Sequence, residues 1–292
     1  MRQTHHSEYL KLRSVYLKSA RKAFISDIHL SEEWRELNYL SRPDFDAALD
    51  EYRVFENFLI DADVGLYFFP QDDKVTIDSI YCRDASIATD FGMIICNMGK
   101  DKRKNEPSCQ MKVFEDNAIP ILGVISSPGT LEGGDVAWLD EKTLAVGHTY
   151  RTNKEGIQQL KQFLEPKGIS IIVAELPHYR GKNDVFHLMS ILSPIDKDLA
   201  LVYSPLMPIA FRNELLDRGF DLIEVPDEEF DTMGCNVLAI APRTCVMVEG
   251  NPKTKKALEN ANCNVLTYLG GEISIKGGGG PTCLTRPLLR SY

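Results

Sequence analysis

Apolar positions along the chain follow two periods in turn, one of two residues and one of three to four. Residues 14–20 (SVYLKSA) alternate and are β-branched at Val15, which predicts a first strand. Residues 26–42 lose the pattern. They are polar and irregular, with Trp34 and Tyr39 as the main apolar anchors, and predict a long loop of the kind that often forms a lid. Asp44 then stands where a helix N-cap belongs, ahead of Phe45, Leu49, Tyr52, Phe55 and Leu59 at helical spacing. Residues 65–70 (GLYFFP) predict a short buried strand.

From there a block of strand, turn, strand, helix and strand recurs. Its first copy covers residues 78–97 with a turn at Asp90-Phe91-Gly92, then a charged helical segment and a strand at 119–125. The second covers 129–148 and turns at Asp140-Glu141. Asn153 caps its helix, which carries Ile157, Leu160 and Leu164 on one face and ends near Pro166-Lys167-Gly168, before a strand at 170–175. The third hairpin, 186–203, turns at Asp196-Lys197 and is followed by a helix at 209–216 and a strand at 221–225. The fourth, 233–248, turns at Pro242-Arg243 and precedes a helix at 253–260 and a strand at 264–268. Cys283 opens the last strand, just after the glycine run Gly277 to Gly280.

Polar residues at the hairpin starts keep a beat: Asp84, Asp135, His187, Cys235 and Cys283 are separated by 51, 52, 48 and 48 residues. A unit of about fifty residues repeated this way implies radial repetition about a centre. About five units fit the length, the first completed by the N-terminal strand and helix. Equivalent strand ends then converge on one axis, bringing distant residues within reach of one another. The alternative is an ordinary α/β domain with coincidental spacing.

Composition narrows the function. The 292 residues can bury a sizeable core, and 43% hydrophobic with 26% charged residues is the balance of a soluble globular protein. No apolar run approaches membrane-spanning length, and the polar first residues do not read as a secretory signal, so His5 and His6 read as solvated terminal residues. A formal charge of −9 argues against nucleic acid and is compatible with a small cationic substrate. Seven scattered cysteines without a Cys-x-x-Cys pair fit reduced, mostly buried thiols in a cytoplasm better than disulfides or a zinc site.

Several residue types at the repeat starts carry chemistry. Cys283 is a potential nucleophile, active as its thiolate. His187 is a potential general acid and base, and Glu132, beside Gly133 and Gly134, could orient an imidazole. Asp78 and Asp84 flank the start of the first hairpin and could hold a cation. Each alone has an ordinary structural reading, a core histidine or a turn; their joint appearance at successive repeat starts is what weakens it.

The sequence resembles the guanidine-modifying penteins: dimethylargininases, arginine deiminases and amidinotransferases. The resemblance covers nearly the whole chain and is carried by Tyr39-Leu40-Ser41-Arg42-Pro43-Asp44-Phe45, the stretch 78–84, Thr130-Leu131-Glu132-Gly133-Gly134-Asp135, Arg151-Thr152-Asn153, His187-Leu188, Gly234-Cys235-Asn236, and 278–283. Overall it looks closest to the bacterial dimethylargininases. It implies a single catalytic domain over 1–292, built as a five-bladed α/β propeller with its active site on the pseudo-fivefold axis and a lid over 26–42.

By the resemblance Cys283 matches the nucleophile, His187 the acid and base, and Glu132 its carboxylate partner. Asp84 matches the residue that binds the guanidinium, Asp78 one that contacts the amino-acid end, and Arg103 and Arg151 the carboxylate-binding arginines. The implied reaction is attack of the Cys283 thiolate on a guanidinium carbon, with Glu132 favouring a protonated His187 and His187 favouring the thiolate. The substrate is then a small cationic arginine-like molecule, the product ureido, as citrulline is, and neither metal nor organic cofactor is required. A cytoplasmic location is expected, a membrane or nucleic-acid partner is not, and a homodimer is left open. The alternatives are an amidinotransferase using the same intermediate and a non-catalytic binding pentein. Arg83, where dimethylargininases typically carry an acidic residue, is similar to the arginine deiminases and amidinotransferases, and the Gly-Pro-Thr-Cys ending is similar to the deiminases. Met189, where deiminases carry Asp, points back to the dimethylargininases.

Overall fold

The helical stripe after Asp44 forms the helix Phe45–Asp61, with the Asp44 carboxylate accepting from the Ala47 backbone N–H. Ala48, Tyr52, Phe55 and Leu59 recur every three to four residues and are all buried. Burying Phe55 and Leu59 contributes roughly 1.5–3 kcal/mol each relative to exposure. The computed structural model describes residues 2–292.

Four units share one plan. In the first, Ser86–Thr89 pairs antiparallel with Gly92–Ile95, the helix Glu106–Asp116 crosses over, and Ile121–Val124 adds parallel to the second strand. Parallel neighbours need such a crossover, and the amphipathic helix supplies it. The same order holds for Val136–Asp140, Thr143–His148, the helix Lys154–Leu164 and Ser170–Glu175. It holds again for Leu192–Asp196, Leu199–Val202, Ile209–Asp217 and Asp221–Glu224, and for Leu238–Ala241, Thr244–Val248, Pro252–Asn260 and Asn264–Tyr268.

The chain ends make the fifth sheet. Thr285–Ser291 pairs antiparallel with Lys11–Leu17, and Gly65–Phe68 adds parallel to Lys11–Leu17 after the helix Phe45–Asp61. The two-residue strand Gln3–Thr4 extends it on the other side. The mixed α/β architecture expected from the alternating periods is therefore present, as five small sheets with helices between their strands.

Burial grades across each sheet. Ser86–Thr89 is buried throughout, and Val136–Asp140, Leu192–Asp196 and Leu238–Ala241 at all but the last residue. The parallel third strands are partly or fully exposed along most of their length. The first two strands of these four units are thus the interior ones, and the third lies towards the surface. Among the described residues no helix is long and apolar enough to cross a membrane.

Four expectations change. The strand expected over 65–70 is not buried: Tyr67 and Phe68 are exposed, because Gly65–Phe68 is an edge strand paired on one side only. The first strand, expected at 14–20, is Lys11–Leu17, and Ala20 already opens the helix Ala20–Phe24. The stretch 26–42, expected as a loop, contains the helix Asp27–Glu33, capped by the Ser26 hydroxyl on the His29 N–H. Two turns with Leu30 as their one buried residue leave too little apolar period to read. His6, expected in solvent, is buried and stacks on Trp138 with ring centroids 3.8 Å apart.

Asn153 ties the helix of the second unit to the segment that leads into that unit's first strand. Its Oδ1 accepts from the Gly156 and Thr130 N–H groups at 2.9 Å, and its Nδ2 donates to Pro128 O at 2.8 Å. Asn153→Ala should lose about 2 kcal/mol, read as a melting midpoint roughly 4–8 °C lower by circular dichroism, with Asn153→Asp keeping most of it. A fall under about 1 °C would contradict the cap's role.

Candidate active site

The turns that lead into the interior strands deliver the chemical groups. Asp84 and Cys283 each lie two residues before such a strand, and Glu132 and His187 immediately precede single 3-10 turns that lead into theirs. One oxygen of Asp84, one of Glu132 and a ring nitrogen of His187 lie within 4.8 Å of one another, and all three residues are buried. Cys283 lines the same recess, as do Asp78, Arg103 and Arg151. The seven residues singled out from sequence therefore meet at one place.

Glu132 has no solvent exposure. Its Oε1 accepts from the Gly99 and Lys100 N–H groups at 3.0 and 3.1 Å, and its Oε2 pairs with His187 Nε2 at 2.8 Å. Arg151 Nη1 approaches at 3.4 and 3.5 Å. Burial alone would raise this carboxyl, but His187 and then Arg151 hold it well below the usual carboxylate range.

For His187, burial would lower the pKa; Asp135, Asp84 and Glu132 overcome it and push the imidazole up to about 9. The ring is charged at neutral pH. The stability this adds is complete below pH 6.5 and is lost as pH rises through about 9. Asp135 faces the ring as a second carboxylate, pushed up to about 6 by burial and bound by the Thr149 and Thr152 hydroxyls at 2.7 Å and the Leu188 N–H at 3.0 Å.

The Cys283 thiol is pushed up to about 11, first by burial and then by Asp84. Thr282, Arg83 and Asn236 pull the other way and do not prevail. The free site thus pairs an imidazolium with a neutral thiol. That corrects the expectation that His187 holds the thiolate: the negative charge of Asp84 in a desolvated recess disfavours a second anion beside it. Asn236 Nδ2 donates to Sγ at 3.5 Å, with its Oδ1 held by the Thr282 N–H at 3.1 Å and hydroxyl at 2.8 Å.

Asp84 is half satisfied. Its Oδ2 accepts from Arg103 Nη1 at 2.5 Å, while the buried Oδ1 has no partner among the described residues. Arg103 is otherwise committed, with a two-pronged pair to Glu106 at 2.8 Å and a bond to Tyr81 O at 2.8 Å. Burial pushes that Glu106 up to about 7 in spite of Arg103. Asp78 pairs with Lys100 Nζ at 2.6 Å, and the same ammonium donates to Leu37 O at 2.9 Å, tying the recess to the 26–42 segment. Asp84, Glu132 and His187 have the spread of a metal-ligand trio, in which Glu132 already takes up His187 Nε2 at 2.8 Å.

Glycines shape the space. A Cβ on Gly134 would stand 2.5 Å from His187 Nδ1 and 2.7 Å from Asp84 Oδ1. One on Gly277 would strike the Tyr81 hydroxyl at 2.0 Å, and one on Gly279 the Tyr81 ring at 2.4 Å. Gly278, at φ +78°, takes the conformation that only glycine adopts freely. A cavity of about 160 Å³ adjoins the recess at Cys283 and His187, walled by Leu37, Leu40, Phe186, Met189 and Phe230. Arg83 lines neither space; its side chain turns away to Glu8 at 2.7 Å.

Sequence reasoning passed over Asn236, Lys100, Tyr81 and the position of Asp135 against His187. Asn236 sits in a motif already singled out, next to the repeat-start Cys235, whose own thiol turns towards Leu201 O. Lys100 and Tyr81 carry no sequence signal, since nothing local distinguishes a buried tyrosine or a lysine in a turn.

Residues 35–290 match the family model described as N,N dimethylarginine dimethylhydrolase, eukaryotic. The chain is 26% identical over 248 residues to the dimethylarginine dimethylaminohydrolase of Pseudomonas aeruginosa, covering 85% of this chain and 91% of that one. It is 25% identical over 314 residues to an arginine deiminase of Mycoplasma capricolum, covering 91% and 76%. The solved structure of the Pseudomonas aeruginosa enzyme in complex with citrulline superposes with a TM-score of 0.75 at 23% identity over 94% of this chain and 98% of that one, so the two share the α/β fold of the penteins.

The charge state of the site is measurable. Alkylation of Cys283 by iodoacetamide, followed by peptide mass spectrometry, should still climb with pH at 9–10 and level only near the thiol's value of about 11. Asp84→Asn should lower that midpoint, since the carboxylate helps to raise it. A plateau below pH 8 in the unmodified protein would contradict the neutral thiol.

Proposed function

The chain belongs to the N,N dimethylarginine dimethylhydrolase family, and on that footing we propose that it hydrolyses a guanidino C–N bond of arginine or an Nω-methylated arginine, releasing ammonia or an amine and a ureido product such as citrulline. The observation that carries the proposal is the lone acceptor Asp84 Oδ1, buried and without a partner, in a recess lined by Cys283 and His187. A guanidinium presents planar, charged N–H donors to such an oxygen.

The same contact triggers the chemistry. A cation on Asp84 offsets the charge that helps to hold the thiol at about 11, and Cys283 releases its proton to solvent. The thiolate attacks the guanidinium carbon and forms a tetrahedral adduct. His187, charged in the free site, gives its proton to the departing nitrogen, and the C–N bond breaks to leave a thiouronium on Cys283. Now neutral, His187 takes a proton from water as its oxygen attacks the same carbon. Collapse of the resulting adduct expels the Cys283 thiolate, which takes up the adduct's hydroxyl proton, leaving the urea, the neutral thiol and the imidazolium. Glu132 keeps the ring oriented throughout by its 2.8 Å bond to Nε2.

Arg103, expected to bind the substrate's carboxylate, has its guanidinium committed to Glu106, Tyr81 O and Asp84, and acts in this scheme by fixing Asp84 through its Oδ2. Arg151 and Asp78 face the amino-acid end of the substrate, with Lys100 exchanging partners as Asp78 meets the ammonium. The five sheets are the blades of a propeller forming one domain, and 26–42 is its lid. The cavity beside Cys283, with Leu37, Leu40, Phe186 and Phe230 in its walls, favours a methylated guanidine over arginine itself. Arg83, turned away, leaves that space open.

Arginine, monomethylarginine and the dimethylarginines should be incubated with the protein and citrulline and released amine assayed together. The methylated substrates should give the higher kcat/KM. Cys283→Ser and His187→Ala should each lower kcat by about 10²–10⁴ or more. Absence of a ureido product from every substrate would refute the proposal.

A further inference from the structure

Away from the recess, three guanidinium groups are shut into the interior with one carboxylate. Arg83, Arg286 and Arg290 are exposed by 1%, 5% and 1%, and the only acidic side chain paired with any of them among the described residues is Glu8, on Arg83 Nη2 at 2.7 Å. They come from separate parts of the chain. Arg83 precedes Asp84 but points the opposite way; Arg286 and Arg290 stand on Thr285–Ser291; Glu8 comes from the N-terminal segment, where its carboxylate also accepts from the Trp138 N–H at 3.4 Å. Arg286 bonds Ser86 O at 2.7 Å and reaches Arg83 O at 3.5 Å, and Arg290 bonds Leu10 O and Ala239 O at 2.5 and 2.9 Å.

Those bonds do not satisfy the cluster. Nε and Nη1 of Arg83, and Nε and Nη2 of Arg290, are buried with no acceptor among the described residues. Burial, with the charge of Arg83, lowers both Arg286 and Arg290 to about 10, which leaves these two cations at neutral pH. Three positive charges against one negative charge, with four N–H-bearing nitrogens unpaired, is among the least favourable arrangements an interior can hold unless a counter-ion completes it.

We propose that Arg83 and Arg290, beside Glu8, form an internal binding site for a small inorganic anion of halide size. Their orphan N–H groups are its ligands, and its charge offsets the surplus of guanidinium. The site lies outside the catalytic recess and binds whether or not the protein turns over a guanidine.

The test is thermal unfolding of the full chain at constant ionic strength while chloride replaces gluconate. The midpoint should rise saturably by about 2–6 °C, as binding to the folded state alone requires. Arg290→Met keeps the length and apolar stem while removing the donors, and should abolish the chloride response. A shift that stays linear in chloride, or is equal in the variant, overturns the proposal. Should the variant fail to fold, crystals of the unaltered protein grown in bromide decide: an anomalous peak bonded to Arg83 and Arg290 supports the site, and water or no peak there overturns it.

Discussion

A carboxylate with no access to water cannot be left to itself, and Glu132 imposes that requirement on several parts of the fold. It is answered by His187 from the next unit, by Arg151, and by two successive backbone N–H groups at Gly99 and Lys100. The turn at 99–100 can approach only because Gly99 has no side chain: a Cβ there would lie 2.6 Å from Arg151 O. From the same turn Lys100 reaches Asp78 and the carbonyl of Leu37, so the demand of one buried charge is passed on to the 26–42 segment. Position of the imidazole, shape of the recess and anchoring of Leu37 share one electrostatic cause.

The two titrating groups are shifted upward together, so the thiol stays above the imidazole as it does outside a protein. Outside a protein a thiol near 8.5 competes with an imidazole near 6.5, and a modest push from each side gives a thiolate–imidazolium pair. Here three carboxylates raise the imidazole to about 9, but burial and one of those carboxylates raise the thiol to about 11. Asp84 therefore has two opposed effects: it helps to raise the imidazole, and it adds to the burial that raises the thiol. In the proposed scheme a positive charge placed on Asp84 relieves its share of the second effect.

Much of this was legible in the sequence because the repeat is carried by backbone-level signals. Asn153 as a cap, Gly168 at φ +81° after its helix, and the hairpin turn at Pro242-Arg243 are local choices that mean the same thing wherever they occur. The spacing of Asp84, His187 and Cys283 located the interior strand ends; Cys235 marked the right turn but the wrong residue, since its neighbour Asn236 faces the sulfur. What could not be read was set by tertiary partners. The 65–68 strand looks buried from GLYF alone and is exposed because nothing pairs with its outer side. His6 looks solvated from its polar surroundings and is buried because Trp138, more than a hundred residues later, supplies a ring to stack on. Proton order was equally out of reach, depending on how many charges face each group.

The glycines carry more of the site's definition than their chemistry suggests. Catalytic side chains of the same types recur on unrelated scaffolds, so identity alone does not make a recess selective. In this chain the wall beside Cys283 is drawn by where side chains are missing. Gly134 lets His187 and Asp84 converge, and Gly277 and Gly279 let Tyr81 line the recess. Replacing any of the three would force a shift in the backbone or in a buried ring, and neither moves without disturbing Glu132 or Asp84. The glycine run ahead of Cys283 is therefore better understood as the mould of the recess than as a flexible approach to it: it holds Tyr81, Asn236 and the thiol in contact, and only Gly278 among the four is required for its backbone angle.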